Sequence, residues 1–230
     1  MTYDLASQLR KSDKIICMKT YQYVLLDWDG NLAKTLDIWL HATRKPLEKR
    51  GIVVPDQQIA LQCFGRPVEG YGELGVNDVE AAIEEMDVLA AALMPEVELY
   101  PDTPYVLEEL KKTGKQTALI TSNFYKNVTH VLEKYHLRHF FDVIITNEDT
   151  IHHKPHPEPL DKALEQLGGT KDRAIMIGDS DKDLEAAKNA GIDSLLFYPE
   201  EHKKFYRLDN LKKFEPTHIV NDFRNVMDVV

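Results

Sequence analysis

The sequence predicts a doubly wound α/β protein: a parallel sheet with helices on both faces and an inserted helical unit. Three observations predict it. Short apolar runs alternate with helical patterns along most of the 230 residues. Those runs lack a polar–apolar alternation, as expected of strands buried on both faces. One stretch, residues 36–100, breaks the rhythm with helical patterns and no convincing strand.

The elements follow in order. The apolar run 23–26 ends at Asp27. In the insert, 37–50 reads as one helix. A second helix covers 77–93, with Asn77 as N-cap and Glu80 three residues later. Its stripe of Val79, Ala82, Ile83, Met86, Leu89, Ala90 and Leu93 has helical spacing. The helix at 104–113 buries Val106, Leu107 and Leu110, and Gly114 stops it. Strand 116–120 ends at Thr121-Ser122-Asn123. Helix 127–136 leads to strand 143–146, and helix 159–167, closed by Gly168-Gly169, leads to strand 174–177. Helix 183–190 ends at Gly191, and short strands at 194–197 and 218–220 complete the chain. Strands alternating with helices call for right-handed crossovers and a parallel sheet. Residues 1–35 and 101–230 form the core in this reading, and 36–100 the helical cap.

Composition narrows the function classes. Apolar residues are 43% and charged residues 29%, the balance of a soluble globular protein. Eleven Gly and eleven Pro are too few for a low-complexity or disordered chain. No run reaches the length of a membrane span. The first twenty residues lack the apolar segment of a secretory signal, so the chain reads as cytoplasmic. A net charge of −10 argues against nucleic acid or an anionic membrane as partner. Twelve acidic and five basic residues fall in the insert, so most of that charge lies there. Cys17 and Cys63 read as inert thiols of a reducing compartment.

The chemistry gathers at the strand ends, where ligands sit in open parallel sheets. The first end carries Asp27-Trp28-Asp29-Gly30 and the second Thr121-Ser122-Asn123. Lys154-Pro155 follows the third, and the fourth runs Gly178-Asp179-Ser180-Asp181-Lys182-Asp183. Asp27 and Asp29 share a side of an extended chain, and a turn at Gly30 brings the second carboxylate over the first. One carboxylate can attack while the other moves a proton. Asp179 and Asp183 add carboxylates whose crowding a hard dication relieves, and Mg²⁺ fits best. Ser122, Asn123 and Lys154 supply donors suited to a phosphoryl group. Trp28 should point the opposite way and pack beneath the sheet end.

The ordered set DWDGN, ITSN, KPHP and GDSDKD, over roughly residues 21–230, resembles the haloacid dehalogenase superfamily. It is most similar to the phosphatase branch with a helical cap, the type found in phosphoglycolate phosphatases and β-phosphoglucomutases. The resemblance implies Asp27 as nucleophile and Asp29 as general acid/base with its backbone carbonyl on the metal. It implies Ser122 as phosphoryl-binding hydroxyl, with Thr121 as rival and Asn123 beside it. Lys154 would neutralise the phosphoryl oxygens, Asp179 would ligate Mg²⁺, and Asp183 would ligate it or hold its waters. Asn31 stands where the family usually has Thr, and Lys34 replaces an acidic residue. The presence of Asp29 favours phosphate over carbon–halogen substrates.

Other motifs read more plainly. Gly70 to Gly75 matches GxGxxG but lies in the insert, and reads as a flexible cap loop. Arg66 is a candidate contact to an anionic leaving group. His152, His153 and His156 read as a polar loop near the site. The expected function is Mg²⁺-dependent hydrolysis of a small phosphorylated metabolite. The alternatives are a sugar-phosphate mutase using the same Asp27, and a binding protein using the acidic cap.

Overall fold

The structure, a computed structural model, describes residues 20–230. The readings made of the first nineteen residues, Cys17 included, lie outside them.

The chain enters through β1 (Tyr23–Leu26) and passes directly into the helical insert: α1 (Leu36–Lys49), α2 (Asp56–Cys63), α3 (Pro67–Glu73) and α4 (Val79–Leu93). It returns through α5 (Thr103–Lys112), β2 (Gln116–Ile120), α6 (Tyr125–Lys134) and β3 (Val143–Ile145). Then come α7 (Glu158–Leu167), β4 (Ala174–Gly178), α8 (Asp181–Ala190), β5 (Asp193–Phe197) and β6 (His218–Val220). The six strands form one parallel sheet ordered β3-β2-β1-β4-β5-β6. The order reverses beside β1, which therefore sits at the switch point where such sheets bind ligands.

Successive strand residues feed opposite faces. Val24 and Leu26 pack with Val106 and Leu107 of α5 and Val128 and Val131 of α6. Leu25 packs on the other face with Leu160 and Leu164 of α7 and Ala187 of α8. This double burial explains why the strands read as unbroken apolar runs. The expected α/β architecture with its helical insert is the one observed.

The insert builds its own core from Leu40, Leu47, Ile59, Tyr71, Ala82 and Met86, closed by Phe205 from the sheet side. Its two connections run side by side: Lys34 N donates to Glu98 O at 2.8 Å and Tyr100 N to Leu32 O at 3.0 Å. Ala33 and Leu99 form an antiparallel bridge there, so the stretch has a short extended piece.

Two local expectations are corrected. The GxGxxG segment is not a flexible loop, because α3 runs through it to Glu73. Tyr71 is fully buried and its hydroxyl donates to Thr43 O at 3.1 Å, which pins the segment to α1. Helix α4 starts at Val79 behind Asp78, with no side-chain cap. Asn77 does not cap it, and the Asp78 carboxylate is drawn instead to Arg50 at 2.6 and 2.7 Å. Among the described residues, no helix is long and apolar enough to cross a membrane.

Candidate active site

The site starts where β1 stops. Asp27 N donates to Ile177 O at 2.9 Å, which locks the first residue past the strand to β4. The chain then turns tightly, the Trp28 carbonyl accepting from Asn31, Leu32 and Ala33 amides at 3.3, 3.0 and 3.0 Å. Gly30 makes the turn possible with φ +74°, and a Cβ there would overlap the Asp179 carboxylate. Gly178 has the same constraint, since a Cβ would run into Asp183. Gly30 lets carboxylates from β1 and β4 come together, and Gly178 makes room for Asp183 to fold back against the end of its own strand. Trp28 points away from them into the core, 1% exposed, as expected. The Asn31 side chain donates to Asp27 O at 3.0 Å, so it still braces the loop where the family usually has Thr.

Lys154 arrives from the loop after β3 and is buried. Its Nζ donates to Asp27 Oδ1 at 2.6 Å, Asp183 Oδ1 at 2.7 Å and Ile120 O at 3.1 Å. Burial opposes the ammonium, but Asp183 and Asp27 outweigh it and hold the group charged, above its ordinary pKa. Asp183 is fixed from both sides. Its Oδ2 accepts from Ser180 N at 3.1 Å and Ser180 Oγ at 2.6 Å, in a capping box that opens α8.

Asp29 is held by the insert. Trp39 Nε1, in the first turns of α1, donates to Asp29 Oδ1 at 2.8 Å. Asn123 Nδ2 stands 3.4 Å and Thr121 Oγ1 3.5 Å from Asp29 Oδ2. Burial raises the pKa of Asp29, and Trp39 acts against it. The pKa of Asp27 is raised by burial and then by Asp183, with Lys154 opposing. Asp179 is raised well above the carboxylate range by burial, Asp183 and Asp27.

Carboxylate oxygens of Asp27, Asp179 and Asp183 lie within 4.8 Å of one another, all buried. Asp179 Oδ2 has no hydrogen-bond partner. His202, 0% exposed, faces it, its Nδ1 4.0 Å from that oxygen and its Nε2 2.7 Å from the Tyr100 hydroxyl. Burial pushes the imidazole pKa down to about 3, so the ring is neutral.

Asp27, Asp29, Ser122, Asn123, Lys154 and Asp179 all line one cavity of about 330 Å³ between the strand ends and the insert. Thr121 is buried behind them and Asp183 beneath. Arg66 does not join them. It is turned outward to Glu73, Nη2 to Oε2 at 3.1 Å. Lys34 sits over the Tyr100 ring at 5.5 Å, outside the cavity lining. His153 lines the cavity, while exposed His152 and His156 stack on each other at 4.5 Å. Sequence reasoning missed Trp39 and His202. Trp39 lies one turn into a helix whose start decides where it points, and His202 lies in the charged run EEHKK, which reads as solvated surface.

A buried carboxylate against a lysine, a second carboxylate beside it and an acidic pocket at a sheet switch point fit a hydrolase of phosphate esters. The family model for haloacid dehalogenase-like hydrolases matches residues 24–197. The chain belongs to that family and is an enzyme of its phosphatase kind. It is similar to the pyrophosphatase PpaX of Bacillus mycoides, with 35% identity over 210 residues, covering 84% of this chain and 94% of that one. It is also similar to PpaX of Halalkalibacterium halodurans, with 27% identity over 209 residues, 90% of this chain and 95% of that one. A solved Lactobacillus plantarum structure, described as a phosphoglycolate phosphatase, superimposes with a TM-score of 0.78 at 23% identity, covering 92% of this chain and all of that one.

Proposed function

We propose that the chain is a Mg²⁺-dependent phosphatase that hydrolyses a small phosphorylated metabolite through an aspartyl-phosphate on Asp27. The observation that carries this reading is the Lys154–Asp27 contact at 2.6 Å, with Asp29 beside it in the same cavity.

The residues fit the metal. Three buried carboxylates share one small space, and Asp179 offers a buried oxygen with no partner. Asp27, Asp179 and the Asp29 carbonyl would hold the ion. Asp183, with both oxygens already bonded to Lys154 and Ser180, would steady it from behind. When bound, Mg²⁺ supplies positive charge against the carboxylates and the phosphoryl oxygens.

The chemistry of the chain's own residues follows. Lys154 and Asn123 orient the phosphoryl group. A carboxylate oxygen of Asp27 attacks phosphorus, and the bond from phosphorus to the leaving oxygen breaks. Asp29, whose burial favours its acid form, gives its proton to that oxygen. Water then attacks phosphorus, Asp29 takes a proton from it, and the bond to Asp27 breaks to release phosphate. The insert keeps bulk water away from the acyl phosphate.

Hydrolysis of p-nitrophenyl phosphate tests the reading. Turnover is expected with Mg²⁺, and neither with EDTA nor with Asp27→Asn. Turnover unaffected by Asp27→Asn would overturn it. A second reading, hydrolysis of pyrophosphate by the same steps, is favoured by the name of the PpaX relatives.

A further inference from the structure

The part of the cavity that must receive the leaving group is built by the insert. Its walls are Trp39, Phe64, Val68, Ile83 and Met86. The polar groups among them are already engaged. Trp39 Nε1 is bonded to Asp29 and the Thr43 hydroxyl to Met86 Sδ at 3.6 Å. Asp87 of α4 is the carboxylate on this wall. Among the described residues the insert places no cation in the lining, since Arg66 is outside it and paired with Glu73. Lys182 reaches in from α8, but its ammonium donates to the Phe64 carbonyl.

A leaving group with a second phosphate or a carboxylate would meet mostly apolar walls and Asp87, and the cation nearest it, Lys182, already gives one of its three N–H groups to the Phe64 carbonyl. Apolar walls offer its charged oxygens few partners, and Asp87 repels them, which costs affinity. A polyol would leave several hydroxyls unpaired, which costs affinity for each. An apolar body meets neither obstacle, and an amine on it would find Asp87. The volume of about 330 Å³ suits a small monoester.

We infer that the substrate is a phosphate monoester of a small apolar alcohol, aryl or alkyl, uncharged or bearing an amine that faces Asp87, and that pyrophosphate, phosphoglycolate and sugar phosphates are poor substrates. The inference rests on the phosphatase reading above.

The test has two arms. In the first, the Mg²⁺ enzyme is given phenyl phosphate, an aminoalkyl phosphate, pyrophosphate, phosphoglycolate and glucose 6-phosphate. The kcat/KM for phenyl phosphate is expected to exceed those for pyrophosphate and phosphoglycolate by roughly tenfold or more. Asp87→Asn, at an exposed position, is expected to raise kcat/KM for pyrophosphate and lower it for the aminoalkyl ester. In the second arm, calorimetry compares phenylphosphonate with methylenediphosphonate on Asp27→Asn. Tighter binding of phenylphosphonate is expected. Fastest turnover of pyrophosphate, phosphoglycolate or glucose 6-phosphate, or tighter binding of methylenediphosphonate, overturns the inference and leaves the phosphatase standing. Phenylphosphonate binding without turnover of any ester overturns the phosphatase reading and supports the pocket preference.

Discussion

At the end of β2 two hydroxyls stand side by side, and their surroundings separate them. Thr121 is 4% exposed, and its Oγ1 accepts from Asn123 N at 3.0 Å. That leaves its proton directed toward the carboxylates of the cavity, where Asp29 Oδ2 is 3.5 Å away. Ser122 is half-buried on the cavity wall and is not so constrained. A donor held in place is worth more to a developing charge than one that must be ordered. Thr121→Val is therefore expected to lower kcat for p-nitrophenyl phosphate by roughly 10²-fold. Ser122→Ala is expected to cost less than about tenfold, the scale of an unaligned contact. Steady-state kinetics of the two variants decide between them, and a larger loss from Ser122→Ala would reverse the assignment. The sequence placed both hydroxyls at the site but not their order, because the preference depends on the Asn123 amide and Asp29, which only the folded chain brings together.

The loop between β3 and α7 carries Lys154, and its far end is tied down by one carboxylate. Glu158 accepts from Ile151 N and His152 N, both at 3.0 Å, and from His152 Nδ1 at 2.8 Å. The Ile151 amide and the His152 side chain lead in pulling its pKa from 4.5 down to about 2. The folded state thus releases this proton more readily than the unfolded one. The stabilisation it adds is fully present above the ordinary value and disappears as pH falls through the window from 4.5 to about 2. In urea titrations, wild type is expected to be more stable than Glu158→Gln at neutral pH, the gap closing across that window. A gap that stays constant across the window would show that the ionised tie contributes nothing. At this scale the sequence was most legible for strands. Bounded by turn residues, β1, β2 and β6 start and stop where their apolar runs do, β1 and β2 because they are buried on both faces and β6 although it forms the partly exposed edge. The short α2 and α3, of 8 and 7 residues, went unread because Ile59 and Tyr71 hold them through burial against the rest of the insert, not through a long stripe of their own.

Across the whole molecule, function is set against stability at the switch point. Asp27, Asp29, Asp179 and Asp183 converge from β1 and β4, and among the described residues Lys154 is the one buried cation bonded among them. The excess negative charge is held in place by packing that comes from every part of the fold: the two sheet faces, the insert through Trp39, and the segment after β5 through His202. A dication that binds only the folded arrangement must then stabilise the entire chain by mass action. At metal about a hundredfold above Kd the gain is about 2.7 kcal/mol. For a chain this long that is roughly 5–10 °C in Tm. Thermal unfolding with saturating MgCl₂ is expected to lie above unfolding in EDTA by that amount. Asp179→Asn is expected to remove most of the difference and to raise the Tm in EDTA, because it relieves repulsion among the buried carboxylates while taking away the free oxygen. An EDTA-insensitive Tm in wild type would mean that Lys154 alone balances the pocket, and that the buried carboxylates hold no ion.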